Sequence, residues 1–419
     1  MESIKNKIIN ICKSSVKASQ YLSKTKNTER NKALKLIAKK IIKNKDHILV
    51  QNKKDLAIAK KSGLSKPLID RLLLDESRIL NLSKDVLNIA KLEDPIGKIL
   101  NSRTRPNGLK ISKITVPLGL IAVIFESRPN VASDVAALCI KSGNAVILKG
   151  GKEAKFTTES IIRIIKKGLE EANIDNRVVS SLNDYSRTSV NILLKMDKYI
   201  DVLVPRGGKS LIENVRKNST IPIFSHLDGI CHTYIDKYAK ESTAVDVTYN
   251  AKMRRTSICG ATETILCHKE AAKKILPKLL DKLVKNNCLV KGNSKLKKIN
   301  PKVVLAKKED WATEYLDAIV SIKVVGTIEE AINHINVYSS GHTDAIITES
   351  SSAAKKFLDS VDSAIVMHNT STQFADGAEF GLGAEIGIST GKLHARGPVS
   401  TTELTTYKYI VQGKGQLRK

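Results

Sequence analysis

The sequence predicts an α/β protein built on two doubly wound sheets, with strand-like arms at 109–119 and in the C-terminal tail. Three observations carry this. Between Gly119 and Ser225 short apolar runs alternate with helix-length segments; the alternation resumes from Thr262 to Met367; and LKISKITVPLG and TTYKYIV alternate residue by residue instead. The first two patterns suit parallel sheets with crossover helices. The third suits half-exposed strands.

Residues 1–90 read as a helical layer. Thr28-Glu29-Arg30 opens an amphipathic segment to Ile48, with Leu34, Ile37, Ile41 and Ile42 on one stripe; Leu56–Lys61 continues it, Gly63 closes it, and Leu68–Leu92 gives another helix or pair. Pro95, Gly97, Pro106, Asn107 and Gly108 then punctuate the chain before the first arm, whose unpaired edge calls for a partner. In the first α/β region, 119–126, 145–151, 177–181, 199–205 and 221–224 are the expected strands. Helices are expected at 131–142, 154–172, 186–196 and 208–217. In the second, strands at 262–267, 303–305, 318–325, 344–348 and 363–367 alternate with helices at 269–285, 329–335 and 353–360.

Ligands of doubly wound sheets sit past the carboxyl ends of strands. Three such ends carry suitable residues: Pro129-Asn130, Lys149-Gly150-Gly151-Lys152, and Pro205-Arg206-Gly207-Gly208-Lys209. There is no GxGxxG, yet two glycine pairs with lysines at strand-to-helix turns would suit phosphate binding. Either pair alone reads equally well as ordinary turn glycine; two on one sheet favour a nucleotide.

Composition narrows the class. The longest apolar run, near Pro117–Phe125, falls far short of the roughly 20 residues that span a bilayer. The opening residues hold no uninterrupted apolar stretch of the secretory kind. Six scattered cysteines without CxxC or zinc-ligand spacing are therefore expected to be reduced thiols in a cytoplasm, with no metal. A formal charge of +28 invites a nucleic-acid reading, but the lysines spread over nearly every expected helix and aromatics are only 4%. Neither nucleic acid nor membrane is the expected partner.

The segment NAKMRRTSICGATETIL, 250–266, holds the chemistry. Cys259 follows Arg254 and Arg255, which would favour a thiolate, and precedes Gly260, which leaves room for a substrate at the sulfur. Unpaired cysteines are more often small buried apolar residues, and this segment alone leaves both readings open.

A lone cysteine, a nucleotide sheet without GxGxxG, and arms near both ends together resemble the aldehyde dehydrogenase superfamily. FESRPNVASDVAALCIKSGNAVILKGGKEA, HLDGICHTYID, NAKMRRTSICGATETIL, FADGAEFGLGAEIGIS, KLHARGP and ELTTYKYIV are similar to the gamma-glutamyl phosphate reductases within it, along essentially the whole chain. The resemblance implies an aldehyde-dehydrogenase-like fold. Residues 1–102 would be a helical part of the cofactor domain, 103–118 an oligomerisation arm and 119–225 the dinucleotide-binding domain. Residues 226–395 would be the catalytic domain, and 396–419 a second arm of a homo-oligomer.

It also implies an activity: NADPH-dependent reduction of L-glutamyl 5-phosphate to the 5-semialdehyde with release of phosphate, the second step of proline biosynthesis. Cys259 is then the nucleophile and Asn130 an oxyanion donor. His226 stands where ordinary aldehyde dehydrogenases carry a glutamate that activates water. Losing that base suits an enzyme that must keep its thioester from hydrolysis, and His226 is open to a proton-handling or a structural role. For the cofactor, the resemblance gives Lys149, Gly207, Gly208 and Glu314. Lys152, where NAD-preferring members have glutamate, favours the 2′-phosphate of NADPH. Substrate anions fall to Arg128, His232, Arg254, Arg255, Asn369 and Arg396; Gln373 replaces an arginine common in the family. Because acyl phosphates hydrolyse and cyclise, glutamate 5-kinase is a further expected partner, though no residue here shows it. The rival reading is another cysteine-dependent aldehyde or acyl-thioester dehydrogenase.

Overall fold

The computed structural model describes residues 2–418. It divides into two compact units: Met1–Ser225 with Gly381–Gly387 and Val399–Lys419, and His226–Phe380 with Ile388–Pro398. Residues 381–387, which the sequence reading ran with the catalytic domain, thus pack with the first unit.

In unit 1, strands β1 (Ile99–Thr104) and β2 (Lys110–Pro117) form an antiparallel hairpin, and the C-terminal strand Thr405–Gln412 pairs with the other edge of β2 from Thr405↔Pro117 to Gln412↔Lys110. Both arms of the sequence reading therefore meet in one three-stranded sheet. β3 (Leu120–Phe125), β4 (Ala145–Gly150), β5 (Val179–Ser181) and β6 (Val202–Arg206) make a parallel sheet in the order β5-β4-β3-β6. β3 and β4 are buried at every position, which is why they read as unbroken apolar runs. The expected strand 221–224 contributes one bridge, Leu203↔Ile223, because Pro222 has no N–H to extend a ladder. The long helix expected from Thr28 divides at Asn44, whose side chain turns back to the Lys40 carbonyl at 2.7 Å. Leu68–Leu92 resolves into the pair Lys66–Leu72 and Glu76–Lys91.

Unit 2 holds a seven-stranded, all-parallel sheet. Its strands are β7 (Cys231–Ile235), β8 (Thr262–His268), β9 (Leu289–Gly292), β10 (Val304–Leu305), β11 (Ile319–Val325), β12 (Thr343–Ile347) and β13 (Ile365–His368). The order is β10-β9-β11-β8-β7-β12-β13. β7 and β9 are strands that the alternation did not reveal. β7 lies near the middle of the sheet, between β8 and β12, where parallel strands are buried on both faces. Register slips between β7 and β8: Cys231 faces Thr262 but His232 faces Thr264, so Glu263 is the extra residue of a bulge. Glu263 is wholly buried and salt-bridged to buried Lys252 at 2.5 Å, while its other oxygen accepts the Leu316 N–H at 3.2 Å. No helix among the described residues is long and apolar enough to cross a membrane.

The bulged pair carries a stability prediction. Burial lifts the Glu263 carboxyl to about 7 even beside the Lys252 ammonium. Lys252→Met strands that carboxyl, so unfolding free energy should fall by about 3 kcal/mol at neutral pH. The folded carboxyl then keeps a proton that the unfolded chain releases, so the loss grows as pH rises above the ordinary glutamate range. Denaturant titrations at pH 5 and pH 8 that differ little from wild type would refute this.

Candidate active site

In sheet order β8-β7-β12, each strand is entered from a loop carrying one reactive side chain: Cys259 before β8, His226 before β7 and His342 immediately before β12. Because the three strands are parallel neighbours, their amino ends lie along one edge of the sheet, and the loops converge there. The Cys259 sulfur and one ring nitrogen of each histidine lie within 4.8 Å of one another. The two imidazoles meet edge to face, with centroids 5.0 Å apart.

Each imidazole is oriented from behind. His226 Nδ1 lies 2.7 Å from the Ile388 carbonyl, which can only accept, so Nδ1 carries the hydrogen and Nε2 is the basic nitrogen. His342 is fully buried, with Nδ1 2.8 Å from the Thr343 hydroxyl and Nε2 without a hydrogen-bond partner. Burial alone would raise the Cys259 thiol; His342 and then His226 outweigh it and hold the thiol well below its ordinary range. The activating groups are thus the histidines rather than Arg254 and Arg255, the flanking pair expected from sequence. Cys231, one strand over, is the opposite case. Burial and then Asp344 hold it protonated, and its S–H donates to the Cys259 carbonyl at 3.1 Å.

Two backbone features fix the thiol. Gly229 lies so close that a β-carbon there would sit 2.3 Å from the Cys259 carbonyl oxygen, so only glycine fits. The Gly229 N–H is accepted by Glu314 Oε1 at 2.9 Å, which brings Glu314 to the same loop pair. Burial, and after it Cys259 and Asp228, keep the Glu314 carboxyl above its usual range.

Other expected substrate residues in unit 2 have protein partners. His232 is fully buried on β7 with Nδ1 3.0 Å from Asp344. Its neighbour His334 is pushed to about 3 by burial, with His232 and Lys323 adding to the shift. Asn369 holds the Thr348 backbone with both ends of its amide, accepting at 2.9 Å and donating at 3.0 Å. Arg396 is clamped by Asp362 through both terminal nitrogens. Arg254 and Arg255 remain exposed. Gln373 accepts from Arg254 Nε at 3.0 Å and donates to the Ala251 and Arg255 carbonyls, tying down the helix end that precedes Cys259.

In unit 1, β3 ends in a turn with Ser127 at φ +50°, held by the Glu153 carboxylate on its N–H and hydroxyl. The turn leads through Arg128 to Asn130, which opens the helix Val131–Lys141 and gives one amide hydrogen to Asp134 at 3.1 Å. Lys149, at the end of β4, is buried, its ammonium 5.0 Å from the centre of the Tyr185 ring; burial lowers its pKa against Asp184, Glu153 and Glu126. Lys152 is exposed on the next turn. Gly207 and Gly208 precede the helix Lys209–Asn218, and the Gly208 N–H already holds an anion, the Glu126 carboxylate, at 2.9 Å. The helix start therefore suits a phosphate that displaces Glu126.

Residues 2–288 match the aldehyde dehydrogenase family model. The gamma-glutamyl phosphate reductase of Rhodospirillum rubrum is 50% identical over 401 residues, 96% of this chain and 94% of that one. That of Petrotoga mobilis is 46% identical over 411 residues, covering 98% and 99%. The chain belongs to the gamma-glutamyl phosphate reductases of the aldehyde dehydrogenase family. The crystal structure of the Thermotoga maritima reductase superposes with a TM-score of 0.95 at 41% identity, over 98% of this chain and 99% of that one. An acetylating aldehyde dehydrogenase from Geobacillus thermoglucosidasius, 17% identical with a TM-score of 0.72 over 100% of this chain and 98% of that one, shares the fold.

Within this reductase frame, sequence reasoning missed His342. It lies 83 residues beyond Cys259, and its one local signal is a histidine between the turn Ser339-Ser340-Gly341 and a strand. Its role at the thiol is testable. Alkylation of Cys259 by iodoacetamide should persist at neutral pH and fade only as pH drops through the lowered thiol pKa. In His342→Gln the profile should move toward alkaline pH, and once the thiol pKa passes 7 the rate at pH 7 should fall about tenfold for each further unit. Superimposable profiles would remove His342 from the site.

Proposed function

We propose that this chain reduces L-glutamyl 5-phosphate to L-glutamate 5-semialdehyde and phosphate, with NADPH, through a thioester on Cys259. The observation that carries the reading is the Cys259 thiol set between two imidazoles, with a histidine where a hydrolytic dehydrogenase carries its glutamate base. His226 Nε2 takes the thiol proton. The sulfur attacks the acyl carbon and the carbon–oxygen bond to phosphate breaks. The His226 imidazolium returns its proton to the departing phosphate, which would otherwise leave with an extra negative charge; such transfer is worth about 10²–10⁴ in rate. The nicotinamide, when bound, supplies the hydride that reduces the thioester. Collapse then breaks the carbon–sulfur bond and restores the thiolate between His226 and His342, while His226 regains a proton from solvent.

Asn130 uses one amide hydrogen on Asp134 and keeps a second for the oxyanion. Exposed Arg254 and Arg255 are the unit 2 cations best suited to the substrate's anionic groups. Lys149, Lys152 and the Gly207-Gly208 helix start are the residues that would hold the cofactor, with Lys152 drawing the 2′-phosphate.

The reaction is best tested in reverse. With glutamate 5-semialdehyde, phosphate and NADP⁺, nicotinamide reduction should require phosphate and vanish in Cys259→Ala, and Lys152→Glu should shift preference toward NAD⁺. Phosphate-independent turnover would favour an ordinary dehydrogenase instead.

We infer further that the three-stranded arm sheet joins a second copy of this chain. Its edge strands leave Ile99, Leu100, Tyr409 and Val411 more than half exposed, an apolar surface with an open ladder edge. Light scattering should give a multiple of 46.0 kDa, and a particle of 46.0 kDa would overturn this.

A further inference from the structure

We propose that His226, Cys259 and His342 form a binding site for a zinc-type divalent cation, which blocks the thiol reversibly. Sequence spacing conceals this site, since its members are 33 and 83 residues apart and converge only because β8, β7 and β12 are neighbours.

The donor set is a thiol and two imidazoles, the ligands that borderline metals such as zinc select over oxygen-seeking magnesium or calcium. Their donor atoms lie within 4.8 Å of one another. In a tetrahedral zinc site, bonds of about 2.0–2.3 Å place donors roughly 3.5 Å apart. Closure therefore needs each group to move by about an ångström or less, within reach of side-chain rotation.

Both histidines already have the outer support that metal-bound imidazoles need. His226 Nδ1 is fixed by the Ile388 carbonyl and His342 Nδ1 by the Thr343 hydroxyl, which leaves Nε2 of each as the coordinating atom. His342 Nε2 is the second, independent sign. It is fully buried and makes no geometric hydrogen bond to a protein atom among the described residues. Cys231 is no rival ligand, because its thiol is committed to the Cys259 carbonyl. Cys259 is only partly covered, so the fourth position is open to water.

In the binding step the thiol proton goes to solvent, the sulfur and two nitrogens bond the metal, and all but one of the waters of the hydrated ion are released, the last staying in the fourth position; no electron moves. The sulfur lone pair that bonds the metal is the one that attacks the acyl carbon, so metal and substrate exclude each other. The site stands on geometry alone, while its effect on turnover rests on the nucleophile role proposed above.

The test uses reduced, metal-free full-length protein titrated with Co²⁺. One equivalent should give a thiolate-to-cobalt charge-transfer band with tetrahedral visible absorption, and Cys259→Ser should lose the charge-transfer band. His342→Gln and His226→Gln should each weaken binding by an order of magnitude or more. Zn²⁺ should displace the cobalt and protect Cys259 from alkylation. Half-exposed His226 serves as the second variant if replacing buried His342 disturbs folding, which circular dichroism would report. Absence of the charge-transfer band, or unchanged affinity in the folded histidine variants, would mean adventitious thiol binding only and would overturn the proposal. Because the readouts are spectroscopic, this inference and the reductase reading can fail separately.

Discussion

The attraction between the Cys259 sulfur and the two imidazoles beside it is the interaction on which the site depends. Burial opposes it, since a thiolate removed from water loses hydration that neutral groups cannot restore. Two imidazoles meeting the sulfur reverse that balance, and they do so only while each ring is held in place. The Ile388 carbonyl and the Thr343 hydroxyl supply that hold, the Cys231 thiol ties down the Cys259 carbonyl, and none of them needs to touch a substrate.

The sheet makes the convergence possible. A parallel sheet fixes the spacing of neighbouring strand starts, so three loops that enter adjacent strands open side by side. The first sheet follows the usual rule, with its candidate ligand residues at the carboxyl ends of β3, β4 and β6. In the second sheet the reactive residues collect at the amino ends instead. The bulge at Glu263 falls within this arrangement. Its extra residue sends a carboxylate into the interior, where Lys252 and the Leu316 N–H receive it, two residues from Glu314. The register slip and the placing of the Glu314 loop are thus one structural feature.

What the sequence revealed follows from the range of the forces involved. Strands β3 and β4 were legible because burial on both faces makes an unbroken apolar run, and the arms because one-sided burial makes an alternating one. β7 was hidden: CHTYI is fully buried, but its His232 and Thr233 are polar, with His232 Nδ1 paired to Asp344 and the Thr233 hydroxyl to Thr262 across the sheet. The same long-range pairing gives His232, Asn369 and Arg396 protein partners that the sequence did not reveal. Each has a residue type suited to anion binding and lies within a family motif. Their partners, Asp344, Thr348 and Asp362, are fixed by tertiary structure. Lysines 149 and 152, by contrast, belong to a local strand-to-turn pattern, and their burial and exposure could be anticipated from it.

His342 shows the limit most clearly. No periodicity marks it, and its chemistry arises from a neighbour 83 positions away. Once the order β8-β7-β12 is known, the question becomes which residues stand at the three strand entrances, and the answer is a thiol and two imidazoles. An ordinary dehydrogenase needs a carboxylate there to draw a proton from water and hydrolyse its thioester. Here an imidazole takes that place, with one nitrogen tied to a carbonyl and the other turned to sulfur. It can pass a proton between sulfur and a departing phosphate without holding a water in line for attack. On the proposed reaction, His226 carries the thiol proton to phosphate and leaves no carboxylate at that place to draw one from water.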